Sequence, residues 1–128
     1  MRALRFIAAA AAAGCMSISL AAAQPAPTGD AARGEQLYPL RCGACHSLDA
    51  NRIGPRHRGV VGRRSASVPD FSYSPALRRL NTTWDEPALD RWLANPTAVA
   101  PGTSMGIRVA SAQERADIVA YLRANPAR

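Results

Sequence analysis

The chain has 128 residues, a formal charge of +7, three cysteines and only 5% aromatic side chains. These figures bound it to one small domain and exclude a disulfide-stapled scaffold. All 16 cationic residues are arginine; they are scattered over loops with few aromatics among them, which disfavours nucleic-acid binding and fits an acidic protein partner.

Residues 1–23 read as an export signal. Arg2 and Arg5 make a positive start, residues 6–20 an apolar run, and Ala21-Ala22-Ala23 a small-residue cleavage pattern with Gln24 as the mature start. Two readings compete. One is an uncleaved anchor, because residues 6–23 are just long enough to span a bilayer. The other is a lipoprotein processed at Cys15, weakened by Ala12 where a large aliphatic side chain belongs. Cleavage leaves 105 residues, a charge of +5 and two cysteines, in the periplasm. Residues 24–29 form a Pro- and Ala-rich flexible tether, and residues 30–128 one domain.

A helix is expected from Asp30 towards Leu40, capped by Thr28 or Asp30, with Gly34, Leu37 and Tyr38 on one face. Directly after it stands Cys42-Gly43-Ala44-Cys45-His46, the Cys-x-x-Cys-His pattern of covalent haem c attachment. Two thiols three positions apart can form thioethers to the two vinyl groups of one porphyrin. The histidine that follows is held beneath the iron and supplies the proximal axial bond. A structural zinc site needs four ligands, and beyond the motif the chain offers only Cys15 and His57. A thioredoxin-like dithiol wants a βαβ context, and no alternating run precedes the motif. A buried porphyrin also gives so small a chain the apolar centre it otherwise lacks.

Residues 47–69 show little periodicity and carry glycines at 54, 59 and 62, as a loop wrapped on a cofactor would. Ser74-Pro75 opens a short helical turn. Thr83-Trp84-Asp85-Glu86 is a capping-box pattern for a helix that must stop before Asn95-Pro96. Residues 101–106 form a loop. Ser111-Ala112-Gln113-Glu114 opens a terminal helix with Ile118, Tyr121 and Leu122 as its apolar stripe. With no repeats and no strands, the expected class is an all-α single domain wrapped around one haem.

Met105 is the only methionine of the mature chain. It lies in a proline-glycine loop between two helices, 59 residues after His46, and reads as the second axial ligand rather than core filler. His57, eleven residues from His46, is too close to reach the opposite face and reads as a solvated loop histidine. Histidine–methionine ligation leaves no open position for a substrate and favours ferrous iron, the arrangement of an electron carrier and not of an enzyme. Two alternatives stand beside it. If Met105 leaves the iron, peroxidase or gas-binding activity follows; if the chain is held permanently by a dehydrogenase or oxidase, it is a haem c subunit. As a carrier it is expected to be a monomer that meets membranes only through membrane-bound redox complexes.

From about residue 29 to 123 the chain resembles the class I cytochromes c, close to the mitochondrial type and its bacterial relatives. The resemblance rests on the haem motif, Gly54-Pro55, Gly62-Arg63, Phe71-Ser72-Tyr73, Trp84, Asn95-Pro96 and Pro101-Gly102-Thr103-x-Met105, in family order and spacing from residue 54 to 105. It implies that the Pro55 carbonyl accepts a hydrogen bond from His46. It also implies that Arg63, Tyr73, Trp84 and Thr103 bond or neutralise the haem propionates, and that Gly34 and Tyr38 meet Ile118, Tyr121 and Leu122 where the first and last helices cross. Several positions depart from the pattern. Trp92 replaces a tyrosine that bonds the methionine sulfur, His57 a leucine near the haem, and Leu77 an asparagine near the propionates. Thr97, Ala98 and Ser104 are neutral where lysines are common, which leaves Arg41, Arg52, Arg56 and Arg108 around the exposed haem edge.

Overall fold

The computed structural model describes residues 24–128, so the signal, anchor and lipoprotein readings of residues 1–23 lie outside the described residues. Among the described residues five helices follow one another: α1 (Ala31–Arg41), α2 (Pro75–Leu80), α3 (Glu86–Ala94), α4 (Pro96–Val99) and α5 (Ala112–Arg123). Among the described residues no strand forms; a single antiparallel bridge joins Arg64 and Thr83. The domain is all-α.

Each helix begins where a short polar side chain can take an orphan N–H of the first turn. Asp30, not Thr28, caps α1 by accepting from the Arg33 N–H at 2.9 Å. Ser74 and Ser111 cap α2 and α5 by accepting from the Leu77 and Glu114 N–H groups. The capping box read at Thr83 is corrected: Asp85 caps α3, accepting from the Ala88 N–H at 2.7 Å. Thr83 is held instead by its bridge to Arg64, and the backbone is extended at Asp85, just ahead of the helix. Asn95 ends α3, and its side chain caps α4, a turn not expected from the sequence.

The core is seated where α1 crosses α5 and where α3 packs on α5. Ile118 is fully buried, with Leu89, Trp92, Leu93, Val119 and Leu122 around it. The α1–α5 crossing is close because Gly34 has no side chain. A Cβ there would stand 2.0 Å from the Asp117 carbonyl oxygen and 2.7 Å from the Tyr121 Cβ. Just ahead of α1, the Thr28 carbonyl accepts from the Gln113 side chain at 2.9 Å.

Asp117 locks the same crossing from inside. It is only 2% exposed. Its carboxylate accepts from the Asp30 N–H at 2.8 Å, from the Arg33 guanidinium twice at 2.9 Å and from the Gln113 side chain at 2.9 Å. The Arg33 hydrogen bonds, outweighing the cost of burial, hold its pKa down at about 2. A folded-state value below the ordinary 3.8 means that this stabilisation is complete above 3.8 and lost as pH falls through about 2. Asp117→Asn should therefore cost roughly 2 kcal/mol at neutral pH, because a buried amide cannot accept from all these donors. The penalty should shrink on acidification below pH 4. Denaturant unfolding of the haem-loaded protein across pH checks both.

Candidate haem centre

The motif residues occupy one turn. Cys42 closes α1, its N–H donating to the Tyr38 carbonyl, and the Cys45 and His46 N–H groups both donate to the Cys42 carbonyl at 3.1 and 2.9 Å. This turn carries two thiols and an imidazole within five residues, the set that would tether a porphyrin and ligate its iron. The two cysteines are not joined to each other. Burial pushes the Cys42 thiol up to about 11, so it is a neutral, apolar part of the core. Among the described residues no three His, Cys, Asp or Glu side chains gather for a metal ion.

The chain after the motif folds back on it. The Gly54 N–H donates to the Cys45 carbonyl at 2.8 Å, the His57 N–H to Ser47 at 2.9 Å and the Arg58 N–H to Leu48 at 2.8 Å. This return places the Pro55 carbonyl 2.8 Å from His46 Nδ1. A carbonyl can only accept, so Nδ1 carries the proton and Nε2 keeps its lone pair for a metal. Burial lowers the His46 pKa, against a smaller raising effect of that bond. The neutral, ligating form is therefore favoured.

The fold-back also overturns the solvated reading of His57. Its imidazole is partly buried and stacks on His46, with ring centroids 4.0 Å apart and planes 21° from parallel. Its Nδ1 lies 2.9 Å from the Tyr38 hydroxyl. Burial, then the neighbouring His46 and Arg63, push its pKa well below the ordinary value. His57 thus stands beside His46. Spacing alone could not report the return of the chain that puts it there.

The bridge at Arg64 and Thr83 brings two other predicted residues side by side. The Trp84 N–H donates to the Arg63 carbonyl, and the Gly62 N–H to the Trp84 carbonyl, both at 2.8 Å. The Arg63 guanidinium is half-buried and donates to the Arg56 and Arg58 carbonyls at 2.8 and 3.2 Å. No carboxylate of the described residues pairs with it. Burial pulls its pKa below the usual arginine value, so an anion beside it would be strongly favoured. The Trp84 ring is buried and packs on Trp92 at 5.2 Å. Tyr73 accepts from the Val68 N–H at 3.3 Å, which leaves its own hydroxyl proton to donate. Thr103 likewise accepts from the Met105 N–H at 3.3 Å and keeps its proton. A half-buried cation with no acid paired to it, together with hydroxyl donors, suits a pair of propionates, so the residues present fit the haem.

Met105 is partly buried against the core cluster, in the loop that α4 and the left-handed Gly102 (φ 88°) introduce. Trp92 is buried on α3 beside Trp84. Two of the arginines expected around the haem edge are paired with acids: Arg41 makes a two-pronged bond to Glu114, at 3.0 and 2.9 Å, and Arg56 pairs with Asp70 at 2.6 Å. Arg52 donates to the Gly43 carbonyl, beside the motif.

Fold and site together define a small all-α domain organised around a Cys-x-x-Cys-His turn. Residues 31–126 match the family described as cytochrome c. The chain belongs to the cytochrome c family, whose members bind one covalent haem c and carry electrons. It is 41% identical over 98 residues to cytochrome c2 of Rhodomicrobium vannielii, a match covering 73% of this chain and 78% of that one. It is also 41% identical over 101 residues to the cytochrome c-type cyt cy of Rhodobacter capsulatus, covering 77% of this chain and about half (51%) of that longer one. The structure of cytochrome cH from Methylobacterium extorquens superposes with a TM-score of 0.72 at 38% identity, covering 75% of this chain and 99% of that one.

Proposed function

We propose that this protein is a periplasmic single-electron carrier whose haem is held covalently by Cys42 and Cys45 and ligated by His46 and Met105. The observation that carries the reading is the His46 ring, whose Nδ1 is committed to the Pro55 carbonyl at 2.8 Å and whose Nε2 is left free. The haem, when bound, supplies one-electron chemistry at iron. The residues supply the rest. Pro55 and Gly54 orient the imidazole; Arg63, Tyr73, Trp84 and Thr103 take the propionates; Met105 fills the remaining position from its proline-glycine loop. A neutral thioether favours the reduced metal, and with both positions filled by side chains no substrate reaches it. The domain is proposed to begin at residue 30, after an export signal over 1–23 and a tether over 24–29.

The partner is proposed to be an acidic redox protein. Arg52 and Arg108 pair with no acidic side chain among the described residues. Arg41 and Arg56 share their charge with Glu114 and Asp70, so the guiding field is weaker than a full ring of free cations would give.

Met105→Ala tests the carrier reading against a peroxidase or gas-binding one. The reduced parent should take up little carbon monoxide at neutral pH. The variant should bind it readily and show a lower reduction potential, because the soft ligand is gone. Carbon monoxide difference spectra and a redox titration decide. A variant with the parental low-spin spectrum removes Met105 from the iron, and avid binding by the parent favours the gas-binding reading.

A further inference from the structure

His57 has surroundings that the carrier reading does not use. Its ring lies against His46 in a near-parallel stack. Its Nδ1 meets the Tyr38 hydroxyl at 2.9 Å. Tyr38 is itself buried in α1 and packs on Tyr121 of α5 at 5.3 Å, so the anchor belongs to the helix crossing. An aliphatic side chain would fill the same space. The hydrogen bond and the aromatic face go beyond what filling requires.

The contacts on His46 divide the work of fixing it. The Pro55 carbonyl holds one ring atom, Nδ1. The Gly54 backbone lies so close that a Cβ there would be 2.1 Å from His46 Cε1. The facing His57 ring resists rotation, because turning one imidazole would drive its edge into the other. The stack has an electronic side as well. Oxidation of a bound metal draws positive charge onto its imidazole ligand, and an aromatic face attracts that charge more than an aliphatic surface does.

We propose that His57, anchored by Tyr38, is a positioning residue for the proximal ligand: its stacked ring sets the orientation of His46 and favours the oxidised metal. The inference rests on His46 as an axial ligand. Compared with an aliphatic residue at 57, the histidine lowers the reduction potential.

Haem-loaded His57→Leu, His57→Phe and Tyr38→Phe proteins test this by two measurements. One is the redox equilibrium against a one-electron mediator. The other is the spread of haem methyl resonances in the oxidised protein, which follows the orientation of the axial ring. His57→Leu should shift the equilibrium towards the reduced form by roughly threefold to tenfold, the effect of losing one hydrogen-bond-sized interaction, and should redistribute the methyl resonances. His57→Phe keeps an aromatic face and should stay within about twofold of the parent. Tyr38→Phe frees the anchor and should change the methyl pattern. Parental equilibrium and methyl pattern in His57→Leu overturn the proposal, as do equal redox shifts in the leucine and phenylalanine variants. If His57→Leu takes up no haem, Tyr38→Phe decides, and a parental methyl pattern there overturns it. Failure of the underlying ligation is separately visible, since the parent itself would then lack the low-spin absorption of histidine-bound iron.

Discussion

Replacing Cys42 and Cys45 together by serine should leave a largely unfolded, protease-sensitive chain. In the described core Ile118 and Pro96 are the largest fully buried side chains, and Ala76, Ala88, Ala100 and Ala120 fill four of its positions with single methyl groups. Cys42 is itself 9% exposed and belongs to the core cluster. Arg63 would keep its half-buried charge with no anion beside it. Losing a tightly held group that binds only the folded state forfeits on the order of 4 kcal/mol or more, most of the margin of a small domain. Circular dichroism, thermal melting and limited proteolysis of the haem-free variant check this. A cooperative thermal transition would sink it.

Gly54→Ala should disturb the site although it adds one methyl group. That methyl would stand 2.1 Å from His46 Cε1 and 2.6 Å from both ring nitrogens, so either the imidazole or the 52–55 backbone must move. Moving the backbone also strains the Gly54 N–H bond to Cys45 and the Pro55 carbonyl bond to His46. Overpacking of this kind costs roughly 2 kcal/mol, and here the cost falls on the ligand. The expected result is a lower melting temperature together with altered visible absorption of the haem. Gly106→Ala is the control, because a Cβ there meets nothing within 4 Å. Indistinguishable behaviour of the two variants would mean that the ring tolerates displacement.

Features written in adjacent residues were legible in the sequence. Asp30, Ser74 and Ser111 sit three residues before the N–H groups they accept from, so local pattern sufficed for the two serine caps and narrowed that of α1 to Thr28 or Asp30. The haem turn was legible for the same reason, because its three functional side chains fall within five residues. Thr83 misled because its partner, Arg64, lies far up the chain. His57 misled in the same way, since its burial depends on the fold-back to Ser47 and on Tyr38, nineteen residues away. The tie between Arg41 and Glu114 spans 73 residues, and nothing in the sequence of either reveals that the charge is shared. What failed was contact between distant segments, and there the resemblance helped most: it supplied the α1–α5 crossing at Gly34 and the Pro55 carbonyl on His46.

The α1–α5 crossing joins residues far apart, Arg33 and Asp117 being separated by 84 positions. Bringing them together in a bare chain means closing a loop of that whole length. If His46 and Met105 share one iron, the 58 residues between them no longer count towards that search. The loop then consists of the stretches from 33 to 46 and from 105 to 117 only. Shortening it this way lowers the closure entropy by about 1 kcal/mol. The metal bond thereby acts as a mid-chain staple for a contact made by the two ends, and exchanging the ligand at Met105 alters the polymer physics of the ends as well as the chemistry of the iron.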